Sequence, residues 1–313
     1  MAERIISGLM SDKDIIEAIN NHEMVITPFT DINDIRLTPS GFNFSFSRFI
    51  VSLNKKRFYE IYERDNNLYF QIETGDTALM LTHESIWVSN KIGGTFHSKV
   101  SYVAIGLGNV STTLDPGWQG RLLISINNPN KKPIEILIGT RINEAIKYES
   151  FITLYLYKLA TPSDKECLNK DSRLTDINKI LLKGKRYKAQ QKIISVIAEM
   201  INYMDSRIRL DLNKSCDIEN DIKLFIQSHE ETLEEWEKKY DEIRDKNKAL
   251  IWRKRLGFIL LTSVIFIILI IFLWGMFNKF NDENNKWLIM CVVSLIGAPL
   301  AKSLFDFLKK YYL

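Results

Sequence analysis

The sequence predicts a mainly β barrel, followed by a long helical stalk and two transmembrane helices. Three observations carry this expectation. Short apolar runs alternate with turn residues through the first half of the chain, a heptad stripe follows them, and an uncharged apolar segment runs from Gly257 to Phe277. The expected divisions are a barrel domain over residues 1–191, a helical or coiled-coil linker over 192–255, and a two-helix transmembrane hairpin over 256–313. With 313 residues there is room for one sizeable domain and these additions.

The first element is a helix. Ser11-Asp12-Lys13-Asp14 has the form of a capping box, and IIEAIN behind it is amphipathic. The runs FNFSFSRFIVSL, NLYFQIE, TALMLTH, SIWVSN, RLLISINN, IEILIG and FITLYLYKL come next, separated by turn signals. Regularly spaced short strands of this sort read as an all-β barrel or sandwich.

The stalk is read from periodicity. Ile222, Ile226, His229, Leu233, Trp236, Tyr240, Ile243, Asn247 and Leu250 recur at alternating spacings of four and three, the period that makes helices supercoil. His229 and Asn247 are polar positions in that seam. The stripe is expected to pair between subunits or to pack on a second apolar-periodic stretch, Tyr187 to Leu210. His229 reads as a tolerated seam residue rather than a pH switch.

The membrane segments come last. GFILLTSVIFIILIIFLWGMF holds 21 residues without a charge, about 31 Å as a helix, which matches the core of a bilayer. A second, weaker segment runs from Trp287 to about Leu304, interrupted by Gly297, Pro299 and Lys302; a re-entrant or interfacial helix is its alternative. Arg253, Lys254 and Arg255 precede the first span, and Lys309 and Lys310 follow the second. Positive-inside logic therefore places the barrel and both termini in the cytoplasm.

Composition excludes several classes. Net charge is +4 from 42 basic and 38 acidic residues, too small for nucleic-acid binding by bulk charge. Cys167, Cys216 and Cys291 are odd in number and scattered, and with four histidines they form no zinc spacing. That usage fits a reducing cytoplasm. The opening MAERIISGLMSDKD lacks the apolar core of a signal peptide.

Several motifs, in order, carry a family resemblance. SDKDIIEAINNHEMVITPF resembles the opening of dCTP deaminases, and TPSGFNFSFSRFI looks like their first nucleotide-binding motif. HSKVSYVAIGLGNVSTTLDPGWQGRLLISINN resembles the core that dCTP deaminases share, more loosely, with dUTPases. PIEILIGTRINEAI is similar to the strand that follows, and GKRYKAQQK looks like the segment that closes over the nucleotide. The resemblance spans about Gly8 to Gln191. It implies a dUTPase-like distorted β-barrel, a homotrimer or a multiple of one, and pyrimidine nucleotide triphosphates bound between subunits.

The residues themselves suit such a ligand. Asp115-Pro116-Gly117-Trp118 is a tight hairpin that can offer backbone groups to a base edge, with Trp118 as a flat wall. Ser98 and Lys99 suit phosphate oxygens, and Arg186 and Gln190, four apart, lie on one side of a helical turn. Taken alone, these make a generic turn and surface charges; the motif order favours ligand contact.

The chain also departs from the resembled family. The dCTP deaminases it resembles place a glutamate ten residues beyond the hairpin aspartate, and Ser125 stands there, so it is expected to touch ligand without activating water. His97, Tyr102 and Thr113 replace arginines, and Asn43 replaces an aspartate. The catalytic set is therefore expected to be empty, with Asp115 catalytic, and Mg as cofactor, only under a hydrolase alternative. The expected function is a nucleotide- or cyclic-nucleotide-sensing membrane effector. Its architecture resembles that of bacterial antiphage effectors in the inner membrane, with the lipid bilayer and a nucleotide cyclase as further partners. Its rivals are an active dUTP- or dCTP-hydrolysing or deaminating enzyme on a membrane tether, and a non-catalytic scaffold.

Overall fold

The computed structural model describes residues 7–109, 112–143, 145–165 and 212–279. The chain divides into two compact units, Met1–Tyr240 and Asp241–Leu313. The first opens with β1 (Gly8–Leu9), helix α1 (Asp12–Asn20), β2 (Met24–Thr27), β3 (Leu37–Thr38) and β4 (Gly41–Ser52). Next come β5 (Arg57–Phe58), β6 (Tyr62–Arg64), β7 (Asn67–Ile72), β8 (Thr77–Val88), β9 (Ile92–Ser98) and helix α2 (Val100–Ala104). The strands β10 (Gly108–Asn109), β11 (Thr113–Leu114), β12 (Gln119–Asn127), β13 (Ile134–Ile142), β14 (Ala145–Tyr148) and β15 (Ser150–Lys158) complete the β part. A long helix, α3 (Ile218–Lys279), follows.

The mainly β expectation holds. Among the described residues the main sheet runs β10-β12-β8-β4-β15-β9-β11, and a four-stranded sheet runs β14-β13-β7-β6. β4 lets the main sheet curl. Its first residues pair with β15 (Phe42 opposite Leu154) and, past an irregularity, its later ones pair with β8 (Ile50 opposite Met80).

Alternation along β4 explains the core. Phe42, Phe44 and Phe46 are fully buried in the main cluster, while Asn43 points the other way and is half-buried. Phe46 stacks on Phe151 at 4.4 Å, and Phe44 meets Phe96 edge-on at 6.2 Å. Such aromatic pairs contribute about 0.5–1.5 kcal/mol beyond their area.

The capping box at α1 is present. Asp14 N donates to Ser11 Oγ at 3.3 Å and Ser11 N donates back to Asp14 Oδ2 at 2.8 Å, while Ile15 and Ala18 face the core. TALMLTH and SIWVSN, two runs in the sequence, are one strand, β8. Arg121 pairs with Ser85 but Leu123 pairs with Leu81, so the extra residues of β8 bulge between the two runs.

The stalk expectation is corrected at its start. Phe225, with Ile218, Ile222 and Ile226 around it, packs on Val25 and Trp87 of the barrel and on Leu212. His229, placed by the heptads in a helix–helix seam, is buried against the barrel, its Nδ1 2.7 Å from Ser85 Oγ. The apolar stripe thus serves first to dock α3 on the outer face of β8, since Val25 and Trp87 gain more by being covered there than by facing water. Tyr187 to Leu210 lies outside the described residues, as do the side chains of the later seam positions.

The backbone of Gly257 to Phe277 is helical throughout, within α3. Leu256, Leu260, Val264, Ile267, Ile268, Ile271 and Trp274 are all exposed. Among the described residues, no helix is long and apolar enough to cross a membrane. The second expected span lies outside the described residues.

Candidate functional site

Ser98 ends β9 and Lys99 precedes α2, with the Lys99 N–H donating to Phe151 O at 3.4 Å. Both side chains are half-buried. Asp115 follows β11, is exposed, and accepts from Thr113 Oγ1 at 3.4 Å. β9 and β11 are neighbours with Thr113 opposite Thr95, so continuing the register puts Asp115 beside Gly93. Ser98 and Asp115 are then about 16 Å apart along the sheet, at roughly 3.3 Å per residue. A single chain does not bring them together.

The hairpin is stable for a reason the sequence did not show. Trp118 N donates to Asp115 O, Gly117 N to Ser89 O, Val88 N to Trp118 O, and Asn213 Nδ2 to Gly117 O. The backbone groups expected to read a base edge are therefore engaged within the chain. Trp118 is corrected as well: it is 7% exposed, belongs to the main core, and donates its Nε1–H to Gly120 O at 3.2 Å. A buried indole satisfies its one donor and packs its ring into the core. Gly117 has φ +79°, the left-handed conformation that the turn requires and that glycine adopts without strain.

Ser125 lies on β12 opposite Leu79, half-buried, on the strand face that Leu123 and Asn127 share; Leu122, Ile124 and Ile126 fill the core from the other. Arg186 and Gln190 lie outside the described residues. Of the positions that depart from the resembled family, Tyr102 packs its ring on Phe46, and burial raises its pKa. Asn43 Oδ1 accepts from Thr153 Oγ1 at 2.7 Å. Among the described residues no group of three or more His, Cys, Asp or Glu is arranged to hold a metal. With Asn43 tied to Thr153, the residues present do not fit the Mg of the hydrolase alternative.

Sequence reasoning missed a set of buried polar residues around Glu84 and Arg121. Glu84 is fully buried, accepting from Arg36 Nη1 at 2.8 Å and from Ser45 N at 2.7 Å; Arg36 also binds Asp34 and Pro28 O. Burial works against the Asp34 charge, but the Arg36 hydrogen bonds outweigh it and hold the carboxyl below its ordinary range. Arg121 is buried as well, and burial lowers its pKa to about 10, partly offset by Glu84 and Glu237. Desolvation, then the Arg121 charge, push both His83 and His229 down to about 3, so both are neutral. The signal was an arginine inside each of two apolar runs, Arg48 and Arg121, with His83-Glu84 between two others.

The dCTP deaminase-like family model matches residues 9–148. The dUMP-forming dCTP deaminase of Streptomyces coelicolor is 25% identical over 170 residues, covering 50% of this chain and 83% of that protein. The dCTP deaminase of Idiomarina loihiensis is 34% identical over 92 residues, 29% of this chain and 46% of that one, so the chain spans less than half of that relative. Among solved structures, the 2'-deoxycytidine 5'-triphosphate deaminase of Agrobacterium tumefaciens aligns at 12% identity with a TM-score of 0.36, over 49% of this chain and 48% of that one. Strands β2 to β14 and the Asp115 hairpin fall within the matched stretch, so residues 9–148 are similar to a dCTP deaminase-like domain.

Proposed function

We propose that this chain is a nucleotide-sensing membrane effector, in which a dCTP deaminase-like domain binds a nucleotide without deaminating it. The observation that carries this reading is Ser125 at the position of the deaminase glutamate, on a strand face shared with Leu123. A general base contributes about 10²- to 10⁴-fold, and a lone hydroxyl is far too weak a base near neutral pH. The ligand is a pyrimidine nucleotide or a cyclic nucleotide, held by Ser98, Lys99, Ser125 and Asp115 from neighbouring copies of the chain. The wide separation of Ser98 and Asp115 within one chain supports a shared site.

The membrane half of the reading rests on α3. Its uncharged stretch is as long as a bilayer core is thick, and its described apolar side chains are exposed. Ligand shifts the membrane state only as far as its affinities for the two states differ. An inner-membrane location, a role in antiphage defence and a cyclase that makes the ligand belong to the same proposal.

The test uses the full chain in detergent. Calorimetry is expected to show nucleotide binding that Lys99→Ala weakens by about 1.5–3 kcal/mol, the range for charge-assisted contacts. Incubation with dCTP is expected to release neither dUTP nor dUMP. Turnover at ordinary enzymatic rates overturns the reading, and pyrophosphate release that depends on Asp115 favours the hydrolase instead.

A further inference from the structure

Arg48 on β4 and Arg121 on β12 are 3% and 5% exposed, deep in the contact between barrel and α3. The helix brings Glu237 to them, beside the Glu84 charge that already acts on Arg121. Glu237 Oε2 lies 3.6 Å from Arg48 Nη2, its backbone O accepts from the same nitrogen at 3.4 Å, and its Oε1 accepts from Tyr148 OH. Its charge also offsets the burial of Arg121. The ion pair is long against the roughly 2.7–2.9 Å of a good charge-assisted bond, and the Glu237 side chain is 28% exposed, so water and small solutes reach it.

His229 Nε2, His83 Nδ1 and Trp87 Nε1 are buried without a hydrogen-bond partner. The rings belong to one neighbourhood: His83 lies 4.5 Å from the Tyr148 ring, His229 sits on Phe225 and Ser85, and Trp87 packs with Phe225. Trp87 Nε1 can only donate, and His229 Nε2 donates whenever its Nδ1 accepts from Ser85 Oγ. Native interiors leave few such groups unpaired; Trp87 Nε1, and His229 Nε2 in that tautomer, each lack an acceptor among the described residues.

We propose that Arg48 and Arg121 form an anion site that Glu237 fills from within the chain, and that a phosphate-bearing ligand taking the place of Glu237 lifts the first turns of α3, Ile218 to Glu237, off the barrel. Arg121 is on the same strand as Ser125, four residues away, so at roughly 3.3 Å per residue the two lie about 13 Å apart. The site uses none of the residues assigned to the nucleotide, Ser98, Lys99, Asp115 and Ser125, and its test is kept separate from theirs. What it adds is a ligand-operated release of the helix that leads toward the apolar run.

The experiment is done on the full chain in detergent micelles with Lys99→Ala in place, so that the nucleotide residues contribute less. Inorganic pyrophosphate is the probe, read by calorimetry and by hydrogen exchange of amides 219–237. Pyrophosphate is expected to raise exchange in that segment and to leave β4 and β8 protected. Glu237→Gln is expected to raise exchange without ligand and to tighten pyrophosphate by about tenfold, the effect of removing one charge-assisted competitor. Arg48→Gln added to Glu237→Gln should abolish the gain, and Arg48→Lys should keep part of it. Unchanged exchange, or a Glu237→Gln chain that binds pyrophosphate no tighter, overturns the proposal. So does a pyrophosphate response present in the unsubstituted chain but absent in Lys99→Ala, which assigns it to the nucleotide residues. If Glu237→Gln does not fold, Arg48→Lys alone decides: pyrophosphate must bind more weakly than to the parent chain, and equal binding refutes the site.

Discussion

Acid should loosen the barrel–helix contact through two histidines, and His229 gives the cleaner measurement. Its folded pKa is about 3 and its ordinary value 6.5, with burial the main cause and Arg121 the second. Above pH 6.5 the folded and unfolded chains both leave it neutral. Between pH 6.5 and 3 the unfolded chain takes up a proton that the folded chain refuses, so stability falls as pH falls. At about 1.36 kcal/mol per pKa unit, the loss reaches about 2 kcal/mol at pH 5 and approaches 5 at pH 3. His83 contributes a similar loss, since its pKa is also held at about 3. Together they remove about 4 kcal/mol at pH 5, a large share of the 5–15 kcal/mol by which domains are stable. The paired carboxylates Asp34 and Asp76 also lose stability as pH falls, but only below about pH 5, because their folded pKa values lie under the ordinary one. Comparing pH 7.5 with pH 5 therefore isolates the histidines. Urea unfolding of the full chain in mild detergent, followed by near-UV circular dichroism, is the assay. His229→Gln is less stable at pH 7.5, yet should lose about 2 kcal/mol less than the parent chain on going to pH 5. Equal losses in both proteins would show that His229 is not held neutral, and would refute the account of its burial.

Three further outcomes are expected. Phe46→Ala removes a fully buried ring stacked on Phe151 and should cost about 3–5 kcal/mol in the same unfolding assay. Gly94→Ala places a Cβ 2.7 Å from Leu154 Cδ1 and 2.8 Å from Tyr155 O, so about 1–3 kcal/mol should be lost, and an unchanged melting temperature would contradict the β9–β15 register. Light scattering of the full chain in detergent should give an oligomer, a trimer or a multiple of one, because the proposed ligand residues come from more than one copy; a clean monomer would remove that basis.

The parts of this fold that were legible in the sequence are those set by local chemistry. Ser11 and Asp14 cap α1 because short polar side chains reach the orphan amides of a first helical turn, and that spacing is visible in one line of residues. The alternation in FNFSFSRFIVSL gave β4 because Phe42, Phe44 and Phe46 fall on one pleat face. The hairpin at Asp115 was legible as a turn, but not its internal saturation, since the Asn213 that binds Gly117 O comes from 96 residues further along. A separation of 144 residues from Ser85 hid the role of His229. A heptad stripe states that one helix face is apolar and leaves open what covers it; here a strand face does. Arg48 and Arg121 stand in strand sequences with nothing nearby in the chain to pair them; their charges are met by acids distant in sequence, Glu237 for Arg48, and Glu84 and Glu237 for Arg121.

β8 shows what this arrangement asks of evolution. Most strands in an antiparallel sheet keep one face wet, and half of their positions drift freely among polar residues. From Met80 to Val88 every residue of β8 except His83 is buried, one face by the barrel core and the other, at Ser85 and Trp87, by α3. Random substitution along this strand should therefore show no two-residue rhythm of tolerance. Each position is answerable either to the barrel or to the helix, and a change that suits one does nothing for its neighbour. Two selective pressures, one for folding and one for holding α3, are written into adjacent residues of a single strand, so adaptation of the helix contact cannot proceed by changes at the surface alone.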